Sequence, residues 1–317
     1  MKRFVAKHSP LFILAALCIA LGFYSQDFRT PGNLQSVAYR TAVIGVMAVG
    51  QLLVILTAGI DLSVGSVAAF SGVAACLAMK YMGGLGEHTA VVLGGGVGVL
   101  TGLACGGLNG IFTTKGRIPP FIVTLGMMMA ARGATLLLSG GQPVYGLPES
   151  FAWLGGTVEW WVPVVVTLVL ALFIAAILNL TRFGRGLYAV GGNMQAARLS
   201  GLNVDRIRIA AFALSGMFAG FAGVMLSSRT SIASPNAAEM YELDAIAACV
   251  IGGASLMGGE GSAIAAIAGA LIMMVLRNVC NLEGIDVYWQ PILVGGLIIA
   301  LVFYDNLRKR KAGLLKE

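Results

Sequence analysis

Apolar runs long enough to cross a bilayer recur from one end of this chain to the other, and that recurrence constrains its fold more than any single motif. A bilayer core demands about 20 apolar residues per helix. Hydropathy marks ten such runs, at residues 10–26, 36–57, 62–81, 89–113, 119–139, 161–180, 207–228, 241–257, 262–281 and 287–304. The gaps between them are short, so no large soluble domain fits anywhere. With 58% hydrophobic and 11% charged residues in a length of 317, a water-soluble domain is excluded. The expected fold is an all-α integral membrane protein, a polytopic bundle of about ten transmembrane helices. The first run follows Lys2, Arg3 and Lys7 as a signal peptide would, but "SQDFRTPGN" offers no small-residue cleavage site, so it reads as a retained helix.

Charge placement supplies the orientation. With a cytoplasmic amino terminus, the inward segments hold Lys2, Arg3 and Lys7, then Lys115 and Arg117, then Arg182, Arg185, Arg198, Arg206 and Arg208, and finally Arg308 to Lys311 with Lys316. Basic residues concentrate on the cytoplasmic side of membrane proteins. Both termini are therefore expected in the cytoplasm. The formal charge of +7 belongs to this topology and implies the lipid bilayer, and no nucleic acid, as a partner. The outward segment "GGQPVYGLPESFAWLGGTVEWW" carries Glu149, Glu159 and tryptophans suited to the outer interface, and is expected to cap the extracellular mouth. The cysteines Cys18, Cys76, Cys105, Cys249 and Cys280 sit in or beside apolar runs without metal-ligand spacing, so neither a metal nor a disulfide is expected.

The fourth run has a sharper pattern. Gly94, Gly98, Gly102, Gly106 and Gly110 repeat every fourth residue, a stripe that lets a second backbone pack at close range. The segment lacks the order G-x-G-x-x-G, and no strand precedes it, so a nucleotide fold is not indicated. Gly216, Gly220 and Gly223 in the seventh run are expected to serve the same packing.

The longest inward gap divides the chain into halves of about 1–180 and 181–317, with a connecting loop at 181–206. Within it Asn193 suits an N-cap, "MQAARLS" has good helix formers, and Gly201 stands where a left-handed C′ residue belongs. So short a helix is marginal in water unless it packs on something. It reads as a docking helix for a cytoplasmic partner, with Asp205 placed to cap the entry to the next span.

Four stretches, "VILTAGIDLSVGSV", "IPPFIVTLGMM", "GRGLYAVGGNMQAARLSGLNV" and "YELDAIAACVIGGASLMGGEGS", stand in that order over nearly the whole chain. Together they resemble the permease subunit of ribose-type ABC importers for monosaccharides. The resemblance implies a permease that works with a tandem-domain ABC ATPase, a second permease copy or paralogue, and a periplasmic sugar-binding protein received by the outward segments. It places the coupling helix on Asn193, Gln195, Ala196, Ala197, Arg198 and Gly201. "QAARLSG" also resembles the E-A-A-x-x-x-G pattern of importer permeases, with Gln195 in place of the acid and no I-x-L-P tail. The chain has no G-x-x-x-x-G-K-[ST] phosphate loop. ATP and Mg²⁺ are therefore expected on the partner ATPase, with no cofactor, no metal and no catalytic residue in this chain.

Polar residues inside the apolar runs complete the reading. In "GIDLSVGS", Gly59 ends one helix, Asp61 can accept from the amides of Ser63 or Val64 to cap the next, and Gly65 permits close packing. "GGASLMGGEGS" repeats this device, with Gly261 and Ser262 matching Gly65 and Ser66. Two such breaks suggest discontinuous helices at the translocation path or its gate. Candidate path or gate residues are Asp61, Ser63, Asn109, Thr124, Glu242 and Asp244. Ser234 or Asn236 can cap the helix carrying Glu242 and Asp244, and Pro119 and Pro120 suit a helix start. The expected function is the membrane-spanning permease of an ATP-driven importer for a ribose-like monosaccharide. The alternatives are an ion-coupled secondary transporter with Asp61 as proton carrier, and a non-transporting membrane assembly.

Overall fold

A computed structural model describes residues 18–311 except 22 and 287. The expected first crossing lies largely outside the described residues, as do both tails. From Pro31 on, the described residues form eleven α-helices: α1 (Pro31–Leu56), α2 (Val64–Tyr81), α3 (Glu87–Thr114), α4 (Pro120–Ser139), α5 (Val162–Leu180), α6 (Arg182–Gly192), α7 (Met194–Leu199), α8 (Val204–Thr230), α9 (Tyr241–Ile251), α10 (Ala263–Leu282) and α11 (Trp289–Lys311). Seven of them, α1 to α5, α8 and α10, are long and apolar enough to cross a membrane. They coincide with seven of the ten hydropathy runs. Among the described residues no strand forms, and strand-like pairing is limited to one isolated bridge between Val144 and Ala233.

Local chemistry starts and stops these helices. Pro31, Pro120 and Pro163 stand in first turns, where a missing N–H costs nothing. Gly140 ends α4 in the left-handed conformation, φ +62°, that glycine adopts without a Cβ penalty. Helix α1 is the centre of the bundle: it is buried almost throughout, from Val37 to Leu56. Around it α5, α8, α9 and α10 pack closely, and α3 to α5 turn much of their remaining apolar surface outward.

The glycine stripe acts as expected. A Cβ at Gly102 would run into the carbonyl oxygen of Gly216, and one at Gly106 into that of Phe212. Gly216 and Gly220 reciprocate against the backbone of α3, and Gly223 lies on the Ala68 carbonyl of α2. Helices α2, α3 and α8 thus meet backbone to backbone, with small residues in place of a side-chain layer.

Two elements depart from the hydropathy reading. The run at 241–257 is helical only to Ile251, so α9 is about 16 Å long, half of a bilayer core. Gly252 closes the helix and Gly253, at φ +84°, turns the chain away, because hydropathy sees apolar content and not the backbone break that the glycines impose. Neither Ser234 nor Asn236 caps α9; Met240, itself left-handed, stands at that position without a side-chain bond. The second departure is α6, an extra helix inside the loop. Thr181 caps it by accepting from the Gly184 amide at 3.1 Å.

Candidate functional site

The α1–α2 break gathers polar groups that the sequence scatters. After Leu56 the chain leaves the helix through Ala58, at φ +57°, and Gly59. Asp61 is then 0% exposed. One of its carboxylate oxygens accepts from the Ser63 amide at 2.9 Å and the Ser63 hydroxyl at 2.6 Å; the other accepts from the Ser215 hydroxyl at 3.3 Å. Asn109 donates to the Ser63 oxygen at 2.9 Å, and Thr124 donates to the Ile60 carbonyl at 3.3 Å. Gln51, with its amide turned to satisfy both groups, brackets the Asp61 backbone at 3.1 Å on each side. Four of the six candidate path residues, Asp61, Ser63, Asn109 and Thr124, therefore form one buried cluster held by α1, α3, α4 and α8.

The acid acts differently in detail from a helix N-cap. It binds the amide two residues on, as an Asx turn does, while Ser63 occupies the N-cap position without a side-chain bond to the helix. Gln51 and Ser215 were not singled out from the sequence. Their signal was faint: a lone amide in "AVGQLLVIL" and a lone hydroxyl in "ALSGMF".

Glu242 and Asp244 occupy different surroundings. Gly65, in the first turn of α2, lies against the Glu242 carboxylate and the Ala238 carbonyl, where a Cβ would not fit. Asp244 points the other way, 1% exposed, and is paired at 2.7 Å with Arg277 of α10. A buried carboxylate requires such a partner. Together with Tyr39, Arg40 and Tyr241 the pair lines a small crevice between α1, α9 and α10.

The two glycine-punctuated breaks touch. Gly259 donates its amide to the Leu56 carbonyl at 3.0 Å, and Gly258 lies on Ala58. The far end of α6 joins them: Gly191 packs on the Leu56 carbonyl and the Gly259 nitrogen, and the Tyr188 hydroxyl donates to Gly261 at 2.9 Å. Burial pushes the Tyr188 hydroxyl above the usual phenol range, so it stays a neutral donor. Protein groups thus take up backbone acceptors that the breaks leave outside a helix, at Leu56 and Gly261.

From that junction α6 leads to α7. Asn193 caps α7 by accepting from the Ala196 amide at 2.9 Å, and Gly201 follows at φ +83°, as expected. Ala197 is buried against Val190 and Val204, while Gln195, Ala196 and Arg198 are exposed. Leu199, which the sequence reading did not single out, is 89% exposed, an apolar knob beside the basic residues. The cap of α8 is Asn203, which accepts from the Arg206 amide at 3.0 Å. Asp205 sits inside the first turn instead and pairs with Arg198 at 3.3 Å and Lys115 at 3.9 Å.

Seven membrane-length helices packed as a polytopic bundle, with two broken segments joined at one point, define an integral membrane protein of the helical-bundle class. Residues 33–302 match the family described as Branched-chain amino acid transport system / permease component, and the chain belongs to that family. It is 40% identical to the ribose import permease protein RbsC of Escherichia coli K12, over 97% of this chain and 96% of that one. It is 41% identical to the RbsC protein of Bacillus subtilis, over 96% and 94%, and 37% identical to the L-arabinose ABC transporter permease protein AraH of Azospirillum brasilense, over 99% and 91%. No solved structure matches it. The resemblance carried by the four sequence stretches is therefore borne out, and the chain is a transport component rather than an enzyme.

Proposed function

We propose that this chain is the permease subunit of an ATP-driven importer for a ribose-like monosaccharide in the bacterial inner membrane. The observation that carries the substrate class is the near full-length similarity to ribose import permeases, with an arabinose permease also among the relatives. In this reading a separate ATPase, tandem-domain as the ribose-type resemblance implies, binds ATP and Mg²⁺; the sequence itself carries no G-x-x-x-x-G-K-[ST] phosphate loop. A periplasmic sugar-binding protein delivers the substrate to the outer segments. A second permease copy or paralogue completes the path, which suits the outward apolar faces of α3, α4 and α5.

Coupling follows from what touches what. The exposed side of α7, with Gln195, Arg198 and Leu199, docks on the ATPase. Displacement of α7 moves α6, and the Gly191 end of α6 bears directly on both helix breaks. The breaks are the hinge or gate, with Asp61 and Ser63 holding the shape of the first. Asp61 is a structural acid in this scheme, because both of its oxygens already accept from protein donors. Reconstitution of the chain with its ATPase and binding protein tests the reading. Uptake of ribose that requires ATP supports it; uptake by the chain alone, or uptake collapsed by a protonophore at constant ATP, overturns it.

A further inference from the structure

A second cavity lies outside the Asp61 cluster, at the corner where α3 ends and α4 and α8 begin. It encloses about 710 Å³ and is lined by Thr113, Arg117, Arg198, Asn203, Asp205 and Arg208 among others. Its charge is unbalanced. Asp205 is the one acid in the lining, and it is already shared between Arg198 and Lys115. Arg117 and Arg208 make no ion pair among the described residues.

Two lining residues also carry buried polar atoms without a partner, the Thr113 hydroxyl and the Arg208 Nε. Orphaned donors of this kind are uncommon and ask for an acceptor. Arg117 itself is held at φ +54°, a conformation disfavoured for a side chain of its size. Strain of this sort concentrates at binding sites.

The surroundings decide which anion fits. The cavity sits at helix ends on the basic face, the depth of phospholipid headgroups, and basic pockets between transmembrane helices at that level hold anionic headgroups. Beside it Ile111, Phe112, Phe121 and Ile122 expose 45%, 50%, 55% and 57% of their surface. A soluble anion has no use for that apolar flank, whereas acyl chains do. We infer that this cavity is a binding site for the phosphodiester headgroup of an anionic inner-leaflet phospholipid, with Arg117, Arg208 and Thr113 as the phosphate ligands and the α3–α4 flank as the acyl-chain seat. The lipid then abuts Arg198 and Gly201 at the end of α7, so membrane composition bears on the coupling corner.

Full-length permease purified in neutral detergent, challenged with phosphatidylglycerol, phosphatidylcholine or inorganic phosphate, tests this by native mass spectrometry and thermal unfolding. The wild-type chain is expected to retain phosphatidylglycerol over phosphatidylcholine and to unfold at higher temperature with it. The pair Arg117→Asn and Arg208→Gln, with asparagine chosen for its tolerance of positive φ, is expected to lower that retention by about tenfold or more. Arg206→Gln, two residues before Arg208 and outside the lining, should leave retention unchanged. Unfolding in phosphatidylcholine reports whether the double variant still folds; if it does not, each single substitution is measured in its place. Equal phosphatidylglycerol retention by variant and wild type overturns the site. An equal gain from inorganic phosphate overturns the lipid as its source. Intact lipid retention with loss of ATPase co-purification makes the cavity a protein dock and overturns the proposal.

Discussion

The amide of Gly259 donates to the carbonyl of Leu56 at 3.0 Å, tying the end of a central membrane helix to a break in the opposite half of the chain. Gly191 lies on both groups, too close for any side chain. The exposed loop and two discontinuities in the membrane region therefore form one mechanical joint. Force applied at α7 has a path of backbone contacts into the bundle, which needs no flexible side chain along the way.

Gly191→Ala tests that joint directly. Its methyl group would overlap the Leu56 carbonyl and the Gly259 nitrogen, both backbone atoms that cannot step aside by changing rotamer. Overpacking of this kind costs about 1–3 kcal/mol. Transport should fall steeply while the protein still inserts, and thermal unfolding in detergent should shift downward. Gly192→Ala, where no atom lies within 4 Å, should leave both nearly unchanged.

Gly201→Pro addresses the other end of the same path. Gly201 sits at φ +83°, whereas proline is held near −65°, so the α7–α8 turn cannot form as it stands. The turn lies outside the seven membrane-length helices, so insertion should survive. Stimulation of the partner ATPase by loaded binding protein should be lost. Normal stimulation in the variant would contradict the assignment of α7 as the coupling element.

Asp61 offers a test that separates two ways of reading a membrane acid. Asp61→Ala removes the acceptor of one amide and two hydroxyls in a site with no exposure, and each donor left unpaired costs about 1–3 kcal/mol. Asp61→Asn keeps an acceptor oxygen and should be milder. With a structural acid, uptake by Asp61→Asn tracks the amount of folded protein and keeps its ATP dependence. Uncoupling of transport from its energy source in folded Asp61→Asn would indicate a proton carrier instead.

How much of this was legible in the sequence depends on what each residue signals by itself. Seven crossings follow from apolar length, and the close backbone approach on α3 from glycine at every fourth residue, because both features act locally along one helix; that α8 is the partner appears only in the packing. The α7 caps were readable for the same reason: Asn193 and Gly201 act within a few residues of themselves. Asp205 failed as a cap because Asn203, two residues earlier, offers an equally good acceptor, and Asp205 pairs instead with Lys115 from another loop. The cluster on Asp61 was half legible. Asp61 and Ser63 lie side by side, but Gln51 and Ser215 reach it only through the packing of α1 and α8. Likewise α9 stops at half a membrane thickness because Gly252 and Gly253 break it where the apolar run continues.

The Asp244–Arg277 pair yields the sharpest stability prediction. Asp244 is 1% exposed, and its carboxylate is held at 2.7 Å by a guanidinium that is itself three-quarters covered, with side-chain exposure of 26%. Removing one member of a buried ion pair leaves the other charge without compensation and costs about 3–5 kcal/mol. Arg277→Met should therefore destabilise the protein far more than Arg206→Met, whose side chain is exposed. Adding Asp244→Leu to Arg277→Met removes the stranded charge along with its partner, and apolar replacement of a whole buried pair is often neutral or better. Thermal unfolding of the wild-type chain, Asp244→Leu, Arg277→Met and the double variant in one detergent measures the coupling. If Arg277→Met unfolds within a degree of the wild-type chain, or if the second substitution recovers nothing, the pair does not hold α9 to α10.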